Sequence, residues 1–288
     1  MNMPCKSLKA FCEKAKQENC FFWQAVRNDD CEENGYSQYE AEQKMAALWK
    51  TMIATVDDYN PSEFSASGLS GTDGARFERY ANAGRSVCGH LLSRMIATAL
   101  KTAESNACMK RIVAAPTAGS CGVLPSVLIP LYRNGMADSE SCLHALFTAA
   151  GIGKIIALNA SISGAEGGCQ AEIGAASAMA AGALVELRNG SAEQIVTAAG
   201  FALQNLLGLV CDPVAGLVEV PCVKRNVIGC ANAVTAADMA LAGIRARIPA
   251  DEVISAMAAV GKSMSSDLRE TGKGGLAATA TARSLCQK

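Results

Sequence analysis

The chain has 288 residues, 50% hydrophobic and 18% charged, with 26 basic and 27 acidic side chains and a formal net charge of -1. That balance excludes a disordered chain and offers no global attraction for nucleic acid or an anionic membrane, so neither is expected as a partner. With 26 Gly and only 5% aromatic residues, the expected fold is all-α, a single large domain of closely packed Ala/Gly-rich helices with functional loops at the helix ends.

Residues 1–60 are expected to form an N-terminal helical region of that same domain. The segment Met1 to Cys20 carries Lys6, Lys9, Glu13, Lys14, Lys16 and Glu18 with no apolar leader-like stretch. A cytoplasmic, reducing setting is therefore expected for the 13 cysteines, an odd number that cannot all pair. Helices are expected at roughly 38–56, 77–104, 123–133 and 139–158, with 111–115 as the one short strand candidate. Further helices follow at 173–188, stopped by Asn189-Gly190, and at 192–210, opened by a capping box of Ser191 and Gln194. Two more are expected at 226–247 and 250–265. Two uncharged runs approach the length of a membrane span. Pro116, Pro125 and Pro130 break the first, at 112–132, and Gln194, Thr197, Gln204 and Asn205 interrupt the second, at 194–211, so no span is expected.

Charge is uneven along the chain: 22 charged residues fall in the first 80 and 8 between Gly151 and Val220. The middle of the sequence is therefore the buried centre, where a polar group needs a reason to be present. Four loops rich in Gly and Ser cross this apolar region, at 67–73, 115–122, 159–170 and 211–216. Turn chemistry alone accounts for their composition. Their concentration of hydroxyls beside cysteines also suits a site.

Neither C-x2-C nor C-x2-C-x2-C occurs, so a zinc ribbon or a bacterial ferredoxin cluster has no support from spacing. Most cysteines read as small core residues. Cys169, Cys211 and Cys222 differ in lying at helix edges or beside Gly and Pro, and the helix expected just after Cys169 would bring its positive end to that sulfur. From spacing alone, three buried structural thiols and a metal site both remain open.

The strings APTAGSCG, NASISGAEGGCQAEIGAASAMAA, LGLVCDPVAGLVEVPCVKRN and the closing GGLA resemble the iron-sulfur-dependent L-serine dehydratases, in particular the catalytic alpha chain of the two-subunit form. The resemblance runs in order from about Ser67 to the C-terminus. It implies that Cys169, Cys211 and Cys222 hold a 4Fe-4S cluster with one iron left open, and that 61–288 is the catalytic, cluster-binding part. Single-chain relatives carry a further domain ahead of this region, which implies a separate beta subunit here. Many relatives have Gly at the position of Thr72 and some have Asn at Ala118.

The implied reaction is β-elimination of water from L-serine, giving pyruvate and ammonia without net redox change. An open iron would act as Lewis acid on the substrate. Ser161 and Ser163 are the candidate bases. Ser67, Thr117, Ser120 and Asn159 are candidate substrate contacts, and Arg269 a candidate carboxylate clamp. Cys286 is a candidate cap for the open iron at rest. His90 and His144, the two imidazoles, lie in helical patterns away from these loops. No pyridoxal phosphate is expected, since Lys154 and Lys273 lack the surroundings of a Schiff-base lysine. The alternatives are a non-catalytic iron-sulfur sensor, which would not need the hydroxyl-rich loops, and a related lyase acting on cysteine or threonine.

Overall fold

The computed structural model describes residues 4–285, and among these the fold is all-α with no β-strand. The helices are α1 (Leu8–Gln17), α2 (Phe22–Asn34), α3 (Gln38–Asp57), α4 (Asp73–Asn82), α5 (Gly89–Ala107), α6 (Val123–Arg133), α7 (Ser139–Asn159), α8 (Gly164–Gly167), α9 (Cys169–Leu187), α10 (Ala192–Gln204), α11 (Cys222–Leu241), α12 (Ala250–Ser263) and α13 (Ala280–Leu285). Short 3-10 turns at Val214–Gly216, Ser266–Leu268 and Gly275–Ala278 complete the loops near the C-terminal end.

Local chemistry explains most boundaries. Ser191 Oγ accepts from Gln194 N at 3.2 Å while Gln194 Oε1 accepts from Ser191 N at 2.9 Å, so the anticipated capping box opens α10. Asp138 and Ser141 cap α7 in the same reciprocal way. Four expectations need correction, the first being the helix expected at 226–247, which runs from Cys222 to Leu241. The helix expected at 77–104 is two helices, α4 and α5, because Gly84 and Gly89 take the left-handed φ values of 71° and 67° that end one helix and begin the next. The segment 111–115 has no strand partner and is irregular. The helix expected to run to 210 ends at Gln204. Gln170 draws the chain away there: its side chain accepts from Gly208 N at 2.9 Å, and its backbone N–H donates to Leu209 O at 2.9 Å.

Helix α9 is the axis of the molecule, in contact with α6, α7, α10 and α11. It is buried on every side from Ile173 to Val185. Neighbours can close on it only because side chains are missing where they cross. A Cβ on Gly182 would stand 2.2 Å from Ile152 Cδ1, and one on Gly229 of α11 would stand 2.9 Å from Val123 Cγ2. The one hydroxyl within this stretch, Ser177, donates to Gly229 O at 2.9 Å and accepts from Asn232 Nδ2 at 2.8 Å. Helix α7 is long and apolar enough to cross a membrane, but Ala145–Ala149 and Ile152 on it lie in the protein core. Leu8, Phe11, Phe22, Val26 and Trp49 from α1–α3 join the same buried cluster.

The 115–122 loop is fixed to α11 by one fully buried amide. Asn226 Oδ1 accepts from Gly122 N at 2.9 Å, and Asn226 Nδ2 donates to Gly119 O at 2.8 Å and to Cys222 O at 3.0 Å. Asn226→Ala strands these buried groups, so urea denaturation should report a loss of about 2–4 kcal/mol. An unchanged midpoint would mean the loop is held elsewhere. At the far end of α9, burial pushes the Glu186 carboxyl up to about 7, against the Thr148 hydroxyl that donates to it at 2.7 Å. Between the usual carboxylate range and 7, the folded chain holds a proton that the unfolded chain has released, so stability falls as pH rises through that window. Glu186→Gln should remove a pH-dependent loss of about 1–3 kcal/mol between pH 5 and 8 in denaturation curves. If the variant shows the same slope, the dependence has another source.

Candidate metal centre and the loops around it

Two of the three singled-out cysteines are the first residues of long helices. Cys169 opens α9 and Cys222 opens α11, so each thiol sits where the positive end of a helix dipole favours negative charge. Gly168, the residue before α9, has φ 75° and ψ 177°, a conformation that glycine alone adopts readily. Cys211 lies on an extended segment between α10 and α11. Its N–H donates to Leu268 O at 2.8 Å and its C=O accepts from Glu270 N at 2.7 Å, a parallel bridge to Arg269 that ties it to the C-terminal segment.

The Sγ atoms of Cys169 and Cys211 and a carboxylate oxygen of Glu172 all lie within 4.8 Å of one another. Cys222 is outside that tight group, with its side chain buried. Glycine makes room around the sulfurs: a Cβ on Gly164 would stand 2.8 Å from Cys211 Sγ. Arg225, one turn beyond Cys222, bridges the pieces. Its Nη1 donates to Cys169 Sγ at 3.4 Å and to Val210 O at 2.8 Å, while Nη2 donates to Asp212 Oδ1 at 2.7 Å. The other oxygen of Asp212 accepts from Leu276 N at 2.7 Å.

These neighbours polarise the thiols. The Cys211 thiol donates to the Cys169 sulfur and the Arg225 guanidinium lies beside it, so Cys169 falls below the usual thiol range despite burial. Cys211 carries the shared proton and is pushed up correspondingly. Burial first, and then the Cys169 charge, push Cys222 up to about 12. Soft sulfur ligands at two helix starts, a guanidinium within reach and a glycine against the Cys211 sulfur suit a metal group that the thiols bind on ionising.

Thr117 and Ser120 are brought to this place. Thr117 Oγ1 donates to Glu172 Oε1 and lies 3.0 Å from Ser120 Oγ. Gly119 allows this approach, since a Cβ there would stand 2.6 Å from Glu172 Oε1. Burial raises the Glu172 carboxyl, with the Thr117 hydroxyl acting the other way. Ser161 Oγ donates to Glu166 Oε2 at 2.6 Å and accepts from Ser163 N at 3.0 Å. Ser161 and Glu166 line a cavity of about 240 Å³ shared with Met257 and Lys262 of α12. Arg269 Nη1 reaches Glu166 O at 3.5 Å, and its buried Nε finds no hydrogen-bond partner among the described residues.

Ser67 is exposed and its hydroxyl hydrogen-bonds Glu219 at 2.9 Å, joining the 67–73 loop to the turn before Cys222. Thr72 in that loop has φ 66°, the left-handed backbone that favours glycine. The Asn159 side chain donates to Lys6 O at 3.0 Å and to Ile155 O at 2.9 Å. Cys286 lies outside the described residues. His144 stacks on Trp23 with centroids 3.7 Å apart, and His90 accepts from Arg94 Nε at 3.2 Å. Each histidine lines a larger cavity, of about 610 and 570 Å³ respectively, and neither cavity is lined by any of the three cysteines.

Glu172 and Arg225 escape a reading based on the loops alone, although a signal for both is present. Each stands three residues after a helix-opening cysteine, the spacing that stacks two side chains on one helical face.

The chain matches the family model described as serine dehydratase alpha chain over residues 17–277. It is 46% identical over 283 residues to the probable L-serine dehydratase, alpha chain, of Bacillus subtilis (strain 168), covering 98% of this chain and 94% of that one. It is 43% identical over 262 residues to the L-serine dehydratase, alpha chain, of Peptoniphilus asaccharolyticus, covering 90% and 89%. Against L-serine dehydratase 1 of Escherichia coli (strain K12) it is 41% identical over 256 residues, which span 84% of this chain and 55% of that protein. With almost the whole chain aligned at such identity, the protein belongs to the serine dehydratase alpha chain family.

Proposed function

We propose that this chain is the catalytic alpha subunit of a cytoplasmic, iron-sulfur-dependent L-serine dehydratase that works with a separate beta subunit and releases pyruvate and ammonia. The observation that carries this reading is the meeting of the Cys169 and Cys211 sulfurs beside Glu172 and Arg225, at the foot of hydroxyl-bearing loops. The relatives' names add the substrate and the partner. A purely structural or sensing metal site has no use for such loops.

In this reading Cys169, Cys211 and Cys222 hold a 4Fe-4S cluster. When bound, the cluster supplies Lewis acidity that makes hydroxide an acceptable leaving group. Two helix N-termini and the Arg225 guanidinium favour the thiolate forms. Arg269, with its unpartnered Nε, takes the substrate carboxylate, and Thr117 and Ser120 supply hydroxyls beside Glu172. Ser67 steadies the rim of the site through Glu219, and Asn159 fixes the start of the 159–170 loop to the end of α7. Ser161 is the candidate base, its hydroxyl donating to Glu166 Oε2, and Ser163 flanks it.

The reading is tested by co-expressing the chain with its beta partner, purifying both without air, and assaying iron, sulfide and pyruvate formation from L-serine. Iron-dependent turnover that does not respond to pyridoxal phosphate is expected, whereas turnover that needs pyridoxal phosphate and survives iron removal refutes it. Cys222→Ser should lose most of its iron and sulfide, and full retention would return Cys222 to a packing role. Ser161→Ala should lower kcat by about 100-fold or more with the metal content intact; an unchanged kcat would take the base away from this loop.

A further inference from the structure

We propose that Glu172 is the residue that recognises the α-ammonium group of the substrate, with Thr117 orienting its carboxylate. The inference rests on the reading of the site given above and adds a specificity determinant to it.

An α-amino acid brings three polar groups into the site. Its carboxylate and hydroxyl have candidates in Arg269 and the metal. The ammonium needs an anionic acceptor, because a cation drawn out of water without one carries a large desolvation cost. The carboxylates near the cysteines are few, and most are already engaged. Asp212 is taken on one oxygen by Arg225 and on the other by Leu276 N. Glu219 accepts from Ser65 and Ser67, and Glu166 accepts from Ser161. Glu270 is exposed on the C-terminal segment.

Glu172 differs in both place and valence. It stands within 4.8 Å of the Cys169 and Cys211 sulfurs, so a molecule held at the metal lies next to it. Only its Oε1 accepts a hydrogen bond among the described residues, from Thr117. Its Oε2 keeps its acceptor capacity for a ligand. The carboxylate is half-buried and pressed against Gly119, where any side chain would displace it. A rigid, partly desolvated carboxylate beside two hydroxyls is the complement of a primary ammonium, which has three donors to place. This also predicts discrimination: 3-hydroxypropanoate, with the same carboxylate and hydroxyl but only hydrogen in place of the amino group, gains nothing from Glu172.

The test uses the anaerobically purified holoenzyme with its partner, and variants Glu172→Gln, Glu172→Asp and Thr117→Val. Iron content, the KM and kcat for L-serine, and the calorimetric Kd for 3-hydroxypropanoate, the amino-free analogue, are measured on each. Glu172→Gln should keep its iron and raise the KM for L-serine by about 10- to 100-fold, as expected for loss of a charge-assisted contact. The affinity for 3-hydroxypropanoate should change by less than about 3-fold, since it has no group for Glu172 to accept from. Glu172→Asp should recover part of the loss. Thr117→Val, which leaves the carboxylate in place, should move the L-serine KM in the same direction by a smaller factor and serves if the Glu172 variants do not fold. Equal weakening of L-serine and 3-hydroxypropanoate overturns the proposal, as does iron loss confined to the Glu172 variants, which would make Glu172 a metal ligand. A collapse of kcat at unchanged KM also overturns it, by making Glu172 a base. A wild-type holoenzyme that binds no iron and consumes no L-serine refutes the underlying function instead.

Discussion

A helix buried on all sides has nowhere to put polar groups except its ends, and α9 imposes that constraint on the whole molecule. From Ile173 to Val185 every residue is buried, and the missing side chain of Gly182 lets Ile152 of α7 close against it. The positive end of the α9 peptide dipoles therefore comes out at Cys169, inside the protein rather than at its surface, with the Gln170 N–H taken up by Leu209 O. A thiol is well suited to that position, being small and apolar when protonated and a strong ligand when ionised. The loops that gather there bring hydroxyls, a guanidinium and carboxylates because the helix start needs partners and the surrounding core supplies none.

The same logic explains why the site is assembled from segments far apart in sequence. Cys169 comes from α9, Cys222 from α11 and Cys211 from the stretch between α10 and α11. Backbone pairing with Leu268 and Glu270 holds Cys211, and Asn226 holds the 115–122 loop to α11. Arg225 reaches across from α11 to Cys169 and to both flanks of Cys211. A charge that is partly buried is stable only when its partners are already in place. Arg225 and Asp212 thus couple the geometry of the sulfurs to the correct docking of the C-terminal segment through Leu276.

Much of this was legible in the sequence. The helices at 38–57, 123–133 and 139–159 follow from apolar periodicity and caps, and the start of α10 from Ser191 and Gln194. The misplaced end of α10 has a non-local cause: Gln170 ends it early by binding Gly208 and Leu209, an interaction between residues nearly forty positions apart that no local window contains. The strand-like look of 111–115 failed for a related reason, since a strand needs a partner and none lies beside it.

The sequence by itself determined the class of fold, through the scarcity of charge and rings in the middle of the chain, and it marked out three cysteines by their Gly and Pro neighbours. Family likeness, also readable there, attached a chemistry to them. Only the tertiary structure decided which polar residues stand together: it brought Thr117 onto Glu172, Arg225 onto Cys169 and Asp212, and turned the amide of Asn159 onto Lys6 and Ile155. Periodicity reports which face of a helix is buried, because burial is an average property of the face. Contact between two particular side chains depends on the crossing of whole helices, and that is settled only when the core closes.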